Sequence, residues 1–418
     1  MNRFIDQGTY QNRDIWFNWN GIIADAVQRR APYSGILFDE TLRDGLQAPG
    51  IHNLTLAEKF SIVDHMVGCG VRSADLGFPG SEPSSARECT ELAKYVVANG
   101  YPLAQGYAGR THPSDIHAIC GIAQTVGVPV DAYIFIGVSP IRQYVEDWDI
   151  SLIQRNIRES VAECLRENVN FVLVLEDTLR CTPEVLAPVY DVAIEMGVER
   201  VTLCETVGAA LPSGTTALIQ WSSQYFDACN HGVALEWHGH NDRGLGLINS
   251  LTAYALGCHR VHGTILGVGE RAGNASLDQI IINSYLDEHG EYNLNALRDY
   301  CNYAGSVLGV EIPRNYPAMG RDVFKTSAGV HASAILKAHE KGNLPVKDAV
   351  YSSVPASLLG REQEVLIDAS SGASNVRYWL TVHGHHSDDA SVIKKVLATA
   401  KASKDPLTDE QITSIVAE

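Results

Sequence analysis

The sequence predicts an α/β protein: a closed (β/α)8 barrel followed by a smaller, mainly helical C-terminal extension. Two observations lead to this fold class. Eight short apolar or β-branched runs alternate with amphipathic helical stretches at a spacing of roughly 30 residues, as in repeated strand–helix units. Many of these runs are apolar nearly throughout, which is typical of parallel strands buried on both faces. A TIM barrel is therefore expected, and a doubly wound open sheet is the alternative, although no GxGxxG follows the first strand.

The eight runs are the predicted strands of the barrel. In chain order they are Ile36–Thr41, Ser73–Phe78, Pro102–Tyr107, Val128–Gly137, Phe171–Asp177, Val201–Thr206, Ala234–His240 and Arg260–Leu266.

The helices between the strands carry their own start and stop signals. Thr55–Glu58 has the spacing of a capping box, and Gly68 and Gly70 are expected to close the helix that follows. Thr182 stands before Pro183, which predicts a capping hydroxyl and a proline at the first position of another helix.

The chain changes character near residue 305, where a passage rich in Pro, Gly and Asn ends the regular alternation. We expect a lead segment over residues 1–33 and a catalytic barrel over 34–305. A linker and first helical subdomain, which carries His331, are expected over 306–345. A second, mainly helical subdomain is expected over 346–418.

Composition excludes several classes of function. The formal charge is −17, from 32 Lys and Arg against 49 Asp and Glu, which argues against a nucleic-acid binder. Nine scattered cysteines without a CxxC pair indicate a reducing compartment. No signal peptide and no apolar run near the ~20 residues of a membrane helix are present, so a soluble, cytoplasmic protein without a membrane partner is expected.

Polar residues at the carboxyl ends of the strands are the candidate site, because active sites of barrel enzymes lie there. His238 and His240, two residues apart at the end of the seventh strand, project to the same side and can reach one cation. Asp44 ends the first strand, which is close to the seventh in a closed barrel. Two histidines and a carboxylate with open positions favour a divalent metal that also holds a substrate.

Arg43 directly precedes this aspartate. A salt bridge at the barrel mouth is one interpretation. The other is that the guanidinium stabilises a carbonyl oxygen as it becomes an enolate or alkoxide. A metal that chelates a small oxo acid beside such an arginine points to formation or cleavage of a carbon–carbon bond.

These residues resemble a known family. Leu42–Gln47, His238–Asp242 and Gly267–Ala275 are similar to the signatures of the DRE-TIM metallolyase superfamily, and more narrowly of its acyltransferase branch. That branch contains the 2-isopropylmalate, homocitrate and citramalate synthases of amino-acid biosynthesis. The resemblance extends from about residue 35 to the end of the chain.

The resemblance implies a metal-dependent Claisen condensation of acetyl-CoA with a 2-oxo acid, which gives a 2-alkylmalate and free CoA. The implied cation is Mg²⁺, Mn²⁺ or Zn²⁺, its identity left open. By position, the implied metal ligands are Asp44, His238, His240 and Asn274; the implied catalytic residues are Arg43, Glu176, His331 and Tyr351; and the implied substrate contacts include Gln47 and Thr206. The resemblance further implies a homodimer in which His331 enters the barrel of the partner subunit.

Departures from the family pattern bear on the substrate. Thr326 replaces the first histidine of the motif that ends in His331. Val172 and Val174 stand where homocitrate synthases hold the distal carboxylate of 2-oxoglutarate, so a dicarboxylic oxo acid is disfavoured, although His112 matches a homocitrate-synthase feature. We therefore expect a 2-oxo acid with an apolar side chain, as in 2-isopropylmalate synthases, flanked by Val174 and Tyr133.

Other readings stay open. A homocitrate or citramalate synthase is the nearest alternative. An HMG-CoA-lyase-like cleavage is less favoured, because the loop Leu266–Asn274 lacks a cysteine and the chain continues for more than a hundred residues. A non-catalytic binding descendant of the fold is a further possibility. No separate leucine-sensing domain is expected after the helical extension.

Overall fold

The computed structural model describes residues 36–287, 290–386 and 388–417. The predicted lead segment 1–33 lies outside these described residues. The described chain forms two compact units, which divide between Glu311 and Ile312. The predicted boundary at 305 stays a prediction, and the last helix before the division ends at Leu308.

The first unit is a closed barrel of eight parallel strands in the order of the sequence. The prediction of the fold class is confirmed, because β1 pairs with both β2 and β8 and leaves no open edge. The strands are β1 Ile36–Asp39, β2 Ser73–Asp75, β3 Ala104–Arg110, β4 Asp131–Gly137, β5 Asn170–Glu176, β6 Arg200–Glu205, β7 Ala234–Gly239 and β8 Arg260–Gly263.

Helices surround the barrel on its outer side. They are α1 Leu56–Cys69, α2 Pro83–Ala98, α3 Pro113–Val126, α4 Pro140–Glu146, α5 Ile150–Arg166, α6 Pro183–Glu195, α7 Pro212–Ala228, α8 Gly246–Ala255, α9 Leu277–Leu286 and α10 Leu294–Leu308. Short 3-10 turns follow three of the strands, at Gly45–Gln47, Thr178–Arg180 and Ile265–Gly267. Among the described residues, no helix is long and apolar enough to cross a membrane.

The predicted capping box of α1 is confirmed. Thr55 Oγ1 accepts a hydrogen bond from the Glu58 amide at 3.3 Å, and the Thr55 amide donates to Glu58 Oε2 at 2.7 Å. Gly70, at φ 106°, ends the helix, whereas Gly68 lies inside it. The capping hydroxyl predicted for α6 is wrong: Thr182 occupies the N-cap but makes no side-chain cap hydrogen bond. Its side chain instead acts on the exposed carboxyl of Glu184, whose pKa it lowers.

The second unit is mainly helical, as predicted. It contains the two-stranded sheet β9 Lys325–Thr326 and β10 Glu364–Val365 and the helices α11 Gly329–Glu340, α12 Leu344–Ala349, α13 Ala373–Val382, α14 Ala390–Ala402 and α15 Asp409–Ala417. β9 pairs with β10, and one apolar cluster joins residues on both sides of the predicted division: Ala332, Ile335, Leu336, Val365 and Tyr378. The predicted division between residues 345 and 346 therefore does not coincide with a division between compact units.

Candidate active site at the barrel mouth

Three predicted metal ligands converge where the strands end. His238 lies on β7 and His240 directly follows it, so both rings point into the barrel, while Asp44 lies in the turn after β1. His238 Nε2 is 3.1 Å from His240 Nε2, and Asp44 Oδ2 is 3.4 Å from the first nitrogen and 3.6 Å from the second. All three side chains are buried.

The donor set fits a divalent cation. Two imidazole nitrogens at 3.1 Å share at most one hydrogen, so at least one lone pair points at the other ring and at the carboxylate. Burial, together with the neighbouring His238, lowers the pKa of His240 to about 4, so this ring is a neutral ligand at pH 7. Among the described residues, the buried Asn274 Oδ1 has no hydrogen-bond partner, and Asn274 Nδ2 donates to Asp44 Oδ2 at 2.7 Å. Asn274 therefore lies beside the three predicted ligands, and its Oδ1 is available to a cation.

Arg43 lies among carboxylates at the same end of the barrel. Its Nε donates to Asp75 Oδ2 at 2.9 Å, its Nη2 donates to Glu40, and its Nη1 is 3.6 Å from Asp44 Oδ2. Burial alone would lower the pKa of Arg43, but these carboxylates raise it. The guanidinium is therefore a permanent cation beside the candidate metal site.

Glu40 orients His238 and was missed as a site residue by the sequence reasoning. His238 Nδ1 is 2.6 Å from Glu40 Oε2, and a carboxylate only accepts, so the proton resides on Nδ1 and the lone pair on Nε2. Burial alone would raise the pKa of Glu40, but the guanidinium of Arg43 and the two imidazoles around it hold that pKa well below its usual range. Glu40 directly follows the last residue of β1, a position that was available as a signal.

A cavity of about 280 Å³ opens beside these groups. Part of its lining is apolar and consists of Phe78, Ala108, Tyr133, Phe135, Val174 and Cys204. The predicted site residues Gln47, Glu176 and Thr206 line it as well, together with Arg43, Asp44, His238 and His240. The strand-end residues singled out in the sequence thus meet around one space.

The polar residues at the carboxyl ends of β5 and β6 are held by their neighbours. Glu176 pairs with Arg142 at 3.1 Å, and burial raises the pKa of its carboxyl. Thr206 Oγ1 accepts a hydrogen bond from the Asp177 amide at 2.9 Å. Both side chains are thereby fixed at the rim of the cavity.

The predicted substrate residue His112 does not line the cavity, and neither does Val172, which departs from the homocitrate-synthase pattern. His112 is an exposed N-cap of α3, where its Nδ1 accepts from the Ser114 amide at 3.3 Å. Val172 is fully buried with Phe38 and Tyr133 in the barrel interior. It lies two residues deeper on β5 than Val174, which does line the cavity.

Below the mouth, the sequence reasoning also missed Asp75 and His262, both buried inside the barrel and both in the cavity lining. Burial, which outweighs the guanidinium of Arg43, raises the pKa of Asp75 to about 6. For His262, burial alone would lower the pKa, but the carboxylates of Glu40 and Glu236 raise it to about 9.

His331 and Tyr351 belong to the second unit, where they stack on each other. Their ring centroids are 3.9 Å apart and their planes are inclined by 27°. Both side chains are exposed, Tyr351 to 47%. Thr326, which departs from the family pattern, lies on β9. The twenty-residue separation of His331 and Tyr351 in the sequence therefore brings the two rings together.

Comparison with known proteins agrees with the resemblance seen in the sequence. A family model described as HMGL-like matches residues 35–302. The 2-isopropylmalate synthase of Methylacidiphilum infernorum is 31% identical over 79% of this chain and 64% of its own length. The (R)-citramalate synthase of Aquifex aeolicus is 26% identical over 87% of this chain and 68% of its own. The chain thus spans about two thirds of the length of these relatives.

Among solved structures, the hydroxymethylglutaryl-CoA lyase of Pseudomonas aeruginosa has the same fold. It superimposes with a TM-score of 0.55 over 66% of this chain and 94% of that one, at 19% identity. At this identity the likeness concerns the barrel and not the reaction.

Proposed function

The chain belongs to the HMGL-like family, and on that premise we propose that it is an acyltransferase that condenses acetyl-CoA with a 2-oxo acid. The names of its relatives, 2-isopropylmalate synthase and (R)-citramalate synthase, support this class of reaction. The observation that carries the proposal is the convergence of Asp44, His238 and His240 beside Arg43 at the edge of a partly apolar cavity.

In this reaction the methyl group of acetyl-CoA loses a proton, and the resulting carbanion forms a carbon–carbon bond with the 2-oxo carbon. The oxo oxygen takes up a proton and becomes a hydroxyl group. Water then cleaves the thioester, which releases CoA and leaves a second carboxylate. Negative charge therefore develops on two oxygens in turn, and the site must stabilise it.

The chain supplies a fixed positive charge for this purpose. A divalent cation held by Asp44, His238 and His240, with Asn274 beside them, would polarise the oxo group and orient the oxo acid. Arg43 keeps its charge throughout the physiological range and stabilises a negative oxygen in the same space. Glu40 keeps the proton of His238 away from the ligand nitrogen.

The apolar lining supports a 2-oxo acid with an apolar side chain. Val174, Phe78 and Phe135 offer dispersion contacts and no hydrogen-bond donor for a distal carboxylate. The second guanidinium in the lining, that of Arg271, is already engaged with Asp242 at 2.8 Å. A distal carboxylate would therefore lose hydrogen bonds worth about 1.5–3 kcal/mol each.

Thiol release tests the proposal directly. The protein is incubated with acetyl-CoA and pyruvate, 2-oxobutyrate, 2-oxoisovalerate, phenylpyruvate, 2-oxoglutarate or oxaloacetate, with and without a chelator. We expect chelator-sensitive release with a monocarboxylic acid and little with the two dicarboxylic acids. No release with any acid would contradict the condensation, and preference for pyruvate would identify a citramalate synthase.

The expectation that His331 works in the barrel of a partner subunit is part of the same proposal. It is supported by the stacking of His331 on Tyr351 with both rings exposed. Mixing two inactive variants, His331→Ala and Arg43→Met, tests it after subunit exchange. Mixed dimers regain one complete site and thus measurable activity if the histidine acts in trans; no recovery would contradict a shared site.

A further inference from the structure

The barrel interior carries charge where apolar layers are usual. TIM barrels are typically filled with branched apolar side chains. Here Glu40, His262 and Glu236 follow one another inside the barrel, and their exposed fractions are 2%, 2% and 0%. Burying three ionisable groups costs free energy unless each has a partner, so this arrangement requires a reason.

His262 bridges the two carboxylates. Its Nδ1 is 3.1 Å from Glu40 Oε1, and its Nε2 is 3.1 Å from Glu236 Oε2. Two ionised carboxylates accept and cannot donate, so both ring nitrogens carry a proton and the ring is a cation. Tyr133 adds a further donor to Glu236 at 3.1 Å, which fixes the lower end of the bridge.

The upper end of the bridge reaches a metal ligand. Glu40 accepts from His262 and Arg43 through Oε1, which leaves Oε2 for His238 Nδ1 at 2.6 Å. The plane of the Glu40 carboxylate is therefore set by donors from two sides. Because that plane directs the hydrogen bond to His238, it also directs the lone pair of His238 Nε2 toward Asp44 and His240.

We propose that His262 is a positioning residue for the cation site: it holds Glu40, which in turn fixes the tautomer and orientation of His238. The inference rests on the proposed function, since it concerns the cation that the condensation uses. It assigns the charged barrel interior a role in ligand geometry. A structural plug, by contrast, would stabilise the barrel without acting through Glu40.

Cation binding measured without substrates separates these roles. The probe is Mn²⁺, whose free aquo ion is quantified by its EPR signal during titration of the metal-free full chain. We expect His262→Gln to weaken Mn²⁺ binding about 10- to 100-fold, the usual effect of losing a residue that orients a ligand. Glu40→Gln should weaken it by a similar factor. Both substitutions disrupt the same chain of hydrogen bonds from His262 through Glu40 to His238. The Kd of the double variant for Mn²⁺ should therefore be no more than about threefold higher than that of the single variant with the larger loss.

A matched control removes a buried hydrogen bond elsewhere. Tyr190 is fully buried, and its hydroxyl is 2.8 Å from Ser222 Oγ on the outer layer of the barrel. Tyr190→Phe should lower stability while leaving the Kd for Mn²⁺ within about twofold. If His262→Gln does not fold, Glu236→Gln releases the same imidazole from its lower side, and a three- to tenfold weaker Kd is expected.

The outcomes are distinct. A folded His262→Gln variant, or failing that Glu236→Gln, with wild-type affinity overturns the inference. So does a double variant whose loss equals the product of the single losses, because His262 would then act independently of Glu40. A wild type that binds Mn²⁺ but condenses no oxo acid overturns only the proposed reaction. A wild type that binds no divalent cation overturns both.

Discussion

The two ends of the barrel hold similar charged residues, yet only one end has the features of an active site. At the mouth, Arg43 lies among Glu40, Asp44 and Asp75. At the opposite end, Arg200 and Arg260 meet at Asp131. The cavity at the amino ends of the strands, which we call the floor, measures about 620 Å³, against about 280 Å³ at the mouth. Neither the volume of the cavity nor the types of charged residue beside it distinguish the candidate active site from the floor.

The two ends differ in whether their polar atoms have lone pairs that no donor in the protein satisfies. At the floor, Asp131 Oδ2 accepts from Arg200 Nη1 at 2.8 Å and from Arg260 Nη1 at 3.0 Å. At the mouth, the Nε2 atoms of His238 and His240 face each other and Asp44. Donors satisfied by acceptors make a stabilising cluster, whereas acceptors facing acceptors make a place for a cation. The comparison predicts that mutations at the mouth affect chemistry and that mutations at the floor affect stability.

The largest effect is expected from Arg43→Met at the mouth. It removes the permanent cation from the cavity, and loss of one group that stabilises a developing oxyanion costs about 10²- to 10³-fold in kcat. The measurement is kcat for CoA release at saturating divalent cation and oxo acid. The floor variant Arg200→Gln is the control and should keep kcat within about twofold. An equal loss of kcat in the two variants would contradict the prediction that mouth and floor have different roles.

The next largest effect is expected from Val174→Arg in the apolar lining. A guanidinium placed against an apolar side chain of the substrate costs about 2–3 kcal/mol, so kcat/KM for such oxo acids should fall by roughly 10²-fold. The same variant should lose less with 2-oxoglutarate, because its distal carboxylate can pair with the new charge. Unchanged kcat/KM for every acid would show that the side chain of the substrate binds elsewhere.

The fold and the candidate metal ligands were predicted from the sequence for the same reason. All eight strands occur where short apolar or β-branched runs were found, and Asp44, His238 and His240 lie at or just after strand ends. Position along a strand is readable from sequence because parallel strands end at one rim. Predicting these three residues required only the order of the strands around the barrel, and no knowledge of side-chain packing.

The sequence does not show how deep a strand residue lies in the barrel or which way a side chain turns. Val172 and Val174 share one face of β5, but two residues of strand put Val172 below the cavity. His112 follows the end of β3, and its ring turns to cap α3 and not toward the mouth. His262 was overlooked because positions inside a barrel strand are expected to hold apolar side chains that only pack. Only the structure shows that Glu40 and Glu236 lie on either side of it.

At the floor, Arg200→Gln should change stability instead of activity. It removes one of the two guanidiniums that bind the largely buried Asp131, while Arg260 remains. Loss of a charge-assisted hydrogen bond with one partner retained is expected to lower the free energy of unfolding by about 1–3 kcal/mol. Urea denaturation at pH 7 measures it. A variant as stable as the wild type would show that Asp131 is satisfied by Arg260 alone.

The smallest expected effect is the pH dependence of the unfolding free energy that Arg200→Gln loses. Burial alone would raise the pKa of Asp131, but the hydrogen bond and charge of Arg200, with the charge of Arg260, hold it below its usual value. A carboxyl whose pKa is lowered on folding contributes stability above its unfolded pKa and loses it as the pH falls through the folded pKa. The difference in unfolding free energy between wild type and Arg200→Gln should therefore shrink by roughly 1 kcal/mol between pH 7 and pH 3.

Tyr190→Phe is the control for this comparison, because its hydroxyl does not titrate below neutral pH: burial raises its pKa. Its loss of unfolding free energy should be the same at pH 7 and pH 3. If the loss in Arg200→Gln is also constant, the contact with Asp131 contributes through packing and not through charge. The floor would then differ from the mouth in a second respect, since its guanidinium could be replaced by a neutral group of similar shape, whereas Arg43 could not.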